Sequence, residues 1–221
     1  MYNTALIRDY VKYGLPILGG QVVWSINMMV QSRIIGQMSA AAIAAISVSN
    51  TLFSLIFVGM AGLSSAVSII TGKTVGAGQF ALMKQYAKTI QILFLGVGLI
   101  SGALIFLARD LFLSLYILKP ETIAIARQFI TILSITIVGT CYQAAGLAGL
   151  VKAGGDTAFV FINDTIFVFL VVLPSAIIAQ SVFHAEAWVV FLCLKCDQIL
   201  KCFVAVVKIN RFKWMKNLTH E

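Results

Sequence analysis

Across 221 residues, 60% are hydrophobic, only 11% are charged and the mean hydropathy is +0.98. Soluble domains run at about 45–50% apolar and about 25% charged, so this composition excludes a soluble globule and indicates a chain that lives in a lipid bilayer. A net charge of +8 needs no nucleic acid as partner, because a basic rim facing the lipid headgroups accounts for it.

In chain order, the first 13 residues carry Arg8, Asp9 and Lys12 and lack the small-residue site that would end a cleavable leader. Six apolar stretches of transmembrane length follow, at residues 15–36, 41–72, 90–108, 123–151, 158–182 and 187–207. Runs such as FLGVGLISGALIFLA do not alternate, which argues against a barrel and for an all-α membrane protein, a single six-helix bundle over residues 1–221.

The first stretch opens on Pro16 and bears Gln21, Trp24, Asn27 and Gln31 at helical spacing; Asn50 lies in the second stretch, and Tyr142 and Gln143 in the fourth. A polar stripe within a span faces the bundle or a wet cavity rather than lipid, so these residues are candidates for interhelical hydrogen bonds or for cavity lining. After the second stretch, Gly72, Gly76 and Gly78 lead into an amphipathic segment with Lys84 and Lys88, which reads as a cytoplasmic elbow. Gly19 with Gly20, the alanine-rich run from residue 40, Gly59 with Gly62, Gly98 with Gly102, and Gly146 with Gly149 are expected to be packing seams. Pro174 is expected to kink the fifth span.

The fourth and fifth spans are joined by GLVKAGGDTAFVFIND. Gly154 and Gly155 are expected to end one helix, with Asp156 and Thr157 capping the next and Lys152 marking the cytoplasmic side. Ten lysines and arginines, from Arg8 to Lys216, fall on the side of the N-terminus, against Arg33, Arg109, Lys119 and Arg127 on the other. Both termini are therefore expected in the cytoplasm. Phe212 and Trp214 in the basic tail suit a membrane interface, and on that side the sequon Asn217-Leu218-Thr219 has no meaning.

Chemistry motifs are sparse. Cys141, Cys193, Cys196 and Cys202 all fall in spans and read as ordinary buried thiols, Cys193-x-x-Cys196 included. Gly72-Lys73-Thr74 lacks the upstream glycine of a phosphate-binding loop, since Val67 stands there. His184, in an outer loop beside Glu186 and Trp188, has no second ligand. No nucleophile triad or metal spacing is present at membrane depth, so neither an enzyme nor a cofactor is expected.

The sharpest signal is ionisable groups inside spans, where each costs roughly 2.5–3.5 kcal/mol on insertion scales. Asp164 and Lys201 each lie seven residues from the cytoplasmic ends of antiparallel neighbours, about 10 Å deep at 1.5 Å per residue, and can meet. Asp197 precedes Lys201 by four residues on the same helix face. Such a triad carries a formal charge of minus one, which leaves room for a sodium ion or proton; a structural ion pair with a protonated or hydrated carboxyl fits the residues as well. Lys195, two residues from Asp197, is expected to point away, toward another seam or an aqueous cavity.

These segments carry a family likeness. YGLPILGGQVVWSI with Pro16 and Trp24, AAIAAISVSNTLFSLIFVGMAGLSSAVSIITGKTVGAGQ, GLVKAGGDTAFVFIND, LPSAII and AWVVFLCLKCDQILKCFVAVVKINRFKWMKNLT follow in order and spacing. Together they make the chain similar to the carboxy-terminal half of a bacterial multidrug and toxic compound extrusion (MATE) transporter, over nearly its whole length. The resemblance implies one six-helix lobe of a two-lobe carrier in the cell inner membrane. Such a carrier exchanges sodium ions or protons for small organic, often cationic, drugs by alternating access. It also implies a partner, either an amino-terminal six-helix lobe or a second copy, since 221 residues hold only six spans. Many relatives carry an acid in the helix where Gln21 lies. A non-transporting fragment and a lipid-precursor flippase of the same superfamily are the other readings.

Overall fold

The structure, a computed structural model, describes residues 4–216, without the side chains of residues 4–10, 12 and 13. Expectations resting on the side chains of Arg8, Asp9 and Lys12, and on the sequon at Asn217, lie outside the described residues. Six helices run up and down through short turns. They are α1 (Thr4–Gly36), α2 (Ala40–Gly76), α3 (Phe80–Ser114), α4 (Pro120–Gln143), α5 starting as Thr157–Ile166, and α6 in two pieces, Ala187–Lys195 and Asp197–Asn210. Among the described residues, Ala40–Gly76, Phe80–Ser114, Pro120–Lys152 and Thr157–Ser181 are each long and apolar enough to cross a membrane. The other two expected spans are helical as well, but α1 carries the polar stripe and α6 is interrupted at Cys196 beside Lys195 and Asp197.

Helix ends follow local chemistry. Ser39 caps α2 by accepting from the Ala42 amide at 3.0 Å, and Pro120 opens α4 where a missing amide proton costs nothing. With 37 residues, α2 is about 55 Å long at 1.5 Å per residue and overruns a hydrocarbon core of about 30 Å. The expected glycine elbow is correspondingly shorter. Gly72 and Gly76 stay helical, the turn occupies residues 77–79 with Gly78 at φ +70°, and Lys84 and Lys88 sit on the first turns of α3.

Helix α4 is central, packed against α2, α3 and both pieces of α6, while α1 packs mainly on α5. Its Phe129, Leu133, Ile137 and Cys141 recur every four residues and, with Ile130, are almost fully buried, and Phe129 stacks on Phe191 of α6 at 4.2 Å. Glycine carries the close approaches. A Cβ on Gly102 would strike the Ser134 carbonyl and one on Gly98 would meet the Val138 backbone, so α3 and α4 touch along the expected seam. Gly20, Gly59 and Gly62 face open space instead and form no seam. Gly139 on α4 makes an unexpected one, its Cα hydrogens facing the Gln198 backbone of α6.

Two spans change pitch. Helix α4 continues as a π-helical stretch, Ala144–Lys152. There Ser64 Oγ of α2 donates to the Ala144 carbonyl at 2.6 Å and Ser68 Oγ to the Ala148 carbonyl at 3.4 Å, tying the widened turns to their neighbour. Helix α5 has a π stretch at Phe167–Val172 before Leu173–Ser181. The proline ring at 174 conflicts with the carbonyl four residues back, at Leu170, and a wide turn lies just ahead of it, where a kink was expected.

The α4–α5 turn corrects two expectations. Gly155 adopts φ +100°, and the Asp156 amide reaches the Val151 carbonyl at 3.1 Å, closing α4 as expected. Asp156 does not cap α5 with its side chain. Its carboxylate is taken by Lys208 at 2.7 Å and Lys216 at 2.9 Å, stronger partners than a backbone amide. Nor is Trp214 an interfacial anchor. The tail folds back so that Trp214 is fully buried over Gly154, where any Cβ would collide with its ring, and its Nε1 donates to the Ile209 carbonyl at 3.0 Å.

Candidate functional site

A cavity of about 890 Å³ opens between α1, α2, α4, α5 and α6. The ionisable cluster is part of its lining. Lys201 Nζ lies 3.1 Å from Asp164 Oδ1 and 3.1 Å from Asp197 Oδ2, bridging α5 to its own helix. The acid-first spacing of four residues brings Asp197 and Lys201 together, and equal depth on antiparallel helices brings Asp164 to them. Side-chain exposure separates the three: 7% for Lys201 and 4% for Asp197, but 35% for Asp164, which faces the cavity. With both carboxylates ionised the cluster has one negative charge in excess, on its open side.

A residue that sequence reasoning passed over holds the cluster in place. Gln198 Nε2 donates to both oxygens of Asp197 at 3.1 and 3.2 Å, while its Oε1 accepts from Thr140 Oγ1 at 3.0 Å. Gln143 Nε2 donates to the Gln198 carbonyl. The Gly139 approach allows this, because it lets α6 come near enough for side chains of α4 to reach its backbone. Gln198 sits one position from Asp197 and off its helix face, so spacing alone gave no signal.

The polar stripe of α1 is only partly gathered into the site. Trp24, Asn27 and Gln31 line the cavity, with Asn50 from α2 and Gln143 from α4. Gln21 is exposed and does not line it. Asn27 is buried and its Oδ1 has no hydrogen-bond partner among the described residues. Lys152 lines the cavity near the α4–α5 turn, whereas Gly154, Gly155, Asp156 and Thr157 belong to the turn and stay outside. Lys195 is buried, yet it lines the same cavity as Asp197 rather than a separate seam. Cys196 between them keeps helical dihedrals, φ −62° and ψ −28°, although its amide reaches the Cys193 carbonyl at 3.4 Å, and Lys195 takes the cavity, one of the two destinations expected for it.

At the turn, burial raises the pKa of Asp156, but the ammonium groups of Lys208 and Lys216 outweigh it and hold the carboxyl below its ordinary value. Lys208 also stands 3.9 Å over the Phe159 ring. All four cysteines are free thiols. Among the described residues no group of three His, Cys, Asp or Glu side chains is arranged to hold a metal ion.

Comparison with known proteins gives one consistent answer. The MatE family profile matches residues 16–178. An uncharacterised transporter of Schizosaccharomyces pombe is 31% identical over 120 residues, 54% of this chain and 22% of that protein. A MOP-superfamily transporter of Pyrococcus furiosus, whose binding pocket of reverse polarity suggests a different function for it, superposes with a TM-score of 0.85 at 15% identity over 96% of this chain and 46% of its own. The Vibrio cholerae MATE transporter VcmN in its bent form gives 0.84 at 15% identity, covering 97% of this chain and 49% of that one. The chain thus spans about half the length of the solved structures it matches and less than a quarter of the curated relative.

Proposed function

The chain belongs to the MatE family of membrane transporters, and from that premise we propose that it is one six-helix lobe of a cation-coupled antiporter. The lobe exports small organic solutes by alternating access and makes no covalent bond to them. The observation that carries this reading is the Asp164–Lys201–Asp197 cluster, whose two carboxylates, when ionised, exceed by one negative charge what Lys201 balances, with Asp164 facing the cavity. A sodium ion or proton at Asp164 neutralises that charge and competes with Lys201 for the carboxylate, loosening the link between α5 and α6. The π stretch of α5 and the break of α6 at Cys196 lie beside the cluster, where a helix can bend with little lost hydrogen bonding. Exposed apolar side chains along the cavity, including Trp24 and Phe57, suit an organic solute.

The same reading puts the lobe in the cell inner membrane with both termini cytoplasmic, the basic ends on the inner side. The opposite wall of the cavity comes from an amino-terminal six-helix lobe or from a second copy. Proteoliposomes test both points. The chain is reconstituted alone and with an amino-terminal lobe of the family, the vesicles are loaded with naphthoate or naphthyl trimethylammonium, and sodium uptake and internal pH are followed as the solute leaves. Cation uptake that needs the added lobe supports the missing-lobe form, and uptake by the chain alone supports the paired form. In either form Asp164→Asn should abolish it; no cation uptake in both preparations, or uptake undiminished by Asp164→Asn, would contradict the proposal.

A further inference from the structure

Lys195 makes no ion pair with the other charges of the cavity among the described residues. It is 91% buried by its 9% exposure, and it lines the cavity wall. Among the described residues no carboxylate lies within ion-pair distance of its ammonium. The acid nearest in sequence, Asp197, is already engaged by Lys201 and by both donor contacts of Gln198. What holds Lys195 is aromatic: its Nζ is 5.7 Å from the Phe53 ring centre and 5.6 Å from that of Phe191, and Phe191 is itself fixed by stacking on Phe129. Aromatic faces steady a cation but do not discharge it. An ionisable group kept at such depth, without an ion-pair partner and facing a cavity, is a candidate functional site.

The lining as a whole has the same sign. Three lysines, Lys152, Lys195 and Lys201, face two carboxylates, Asp164 and Asp197. Of these lysines Lys152 and Lys195 make no ion pair among the described residues, and Lys195 is the one held against the apolar wall of Phe53 and Phe57. We infer that the solute is an organic anion. Its carboxylate or phosphate pairs with Lys195 Nζ, and its apolar body lies along Phe53 and Phe57. The organic cation implied by the family resemblance would meet Lys195 at close range. This inference rests on the transport reading above and names its substrate class. It also suits export, because an outward anion and an inward sodium ion or proton both move with an inside-negative membrane potential.

Equilibrium binding tests the charge preference without needing flux. The full chain in phosphatidylcholine nanodiscs is titrated with naphthoate, naphthyl phosphate and naphthyl trimethylammonium, three probes that share one ring, and quenching of tryptophan fluorescence is followed; Trp24 lines the cavity. The naphthyl anions should bind at least about tenfold more tightly than the ammonium, the range of one charge-assisted hydrogen bond. Lys195→Met should erase that preference by weakening the anions while the ammonium still binds, which also reports that the variant is folded; Lys195→Arg should retain it. Adding phosphatidylglycerol to the nanodiscs distinguishes sources: competition identifies a lipid headgroup phosphate as the occupant, and its lack identifies a soluble anion. Preference of the wild type for the ammonium, or anion affinity within twofold of wild type in Lys195→Met, overturns the inference. Such a result beside intact cation-coupled flux would remove the anion assignment alone, whereas Lys195-dependent binding without flux would remove the coupling alone.

Discussion

Two clusters in this lobe are mirror images in charge. At the α4–α5 turn one carboxylate, Asp156, lies between Lys208 and Lys216; in the α5–α6 interface one ammonium, Lys201, lies between Asp164 and Asp197. What differs is where the surplus charge goes. At the turn the surplus member, Lys216, is 49% exposed at the end of the chain's described part, and Trp214 seals the region behind it. In the interface the surplus member, Asp164, faces the cavity. A surplus charge at the open surface leaves a clamp, whereas one that faces a cavity is placed to meet a ligand.

If the turn is a clamp, removing its packing should hurt stability most. Trp214→Ala deletes a fully buried ring and should cost about 3–5 kcal/mol, read as a lowered unfolding midpoint in detergent. Lys201→Ala is next: it leaves Asp197 buried with only Gln198 as partner and should cost about 3 kcal/mol, much of it regained when Asp197→Asn is added. A Lys201→Ala loss that Asp197→Asn deepens would show the cluster to be ordinary packing.

The same contrast shows what was legible in the sequence. The six helices were, because apolar runs long enough to span a bilayer leave few alternatives. The interface cluster was assembled from two geometric rules, the four-residue helix spacing and equal depth on antiparallel neighbours, which act between adjacent helices. The clamp was not legible, because it depends on a tail returning to a turn 60 residues upstream in sequence. Without that return Asp156 reads as a helix cap and Trp214 as an interfacial anchor. The spacing of Lys195 left two destinations open, a seam or a cavity, and only the packing of α6 chooses the cavity. The π stretches also escaped, since widened turns arise from packing against Ser64 and from the ring of Pro174 rather than from any periodicity.

Smaller effects sharpen the comparison. Asp156→Asn should cost about 1 kcal/mol at neutral pH, because Lys216 is half exposed and water screens its share. Since the folded protein holds the Asp156 carboxyl below its ordinary value, this stabilisation is complete above the ordinary carboxylate range and is lost as pH falls through the lowered value. The gap between wild type and Asp156→Asn in unfolding midpoint should therefore close at strongly acid pH; a gap unchanged there would mean that the side chain acts by shape. Ser64→Ala, which unties one carbonyl of the α4 π stretch, should cost only about 0.6 kcal/mol, the size of an average hydrogen bond between membrane helices.

Cation binding by the purified lobe, read as radioactive-sodium retention and as proton uptake on acidification, bears on Asp164, Asp197 and Lys201 at once. Wild type should bind a cation, Lys201→Ala should bind it more tightly because the competing ammonium is gone, and the double variant Asp164→Asn with Asp197→Asn should not bind it. Equal binding by the wild type and the double variant would contradict the assignment of the cluster as the coupling site.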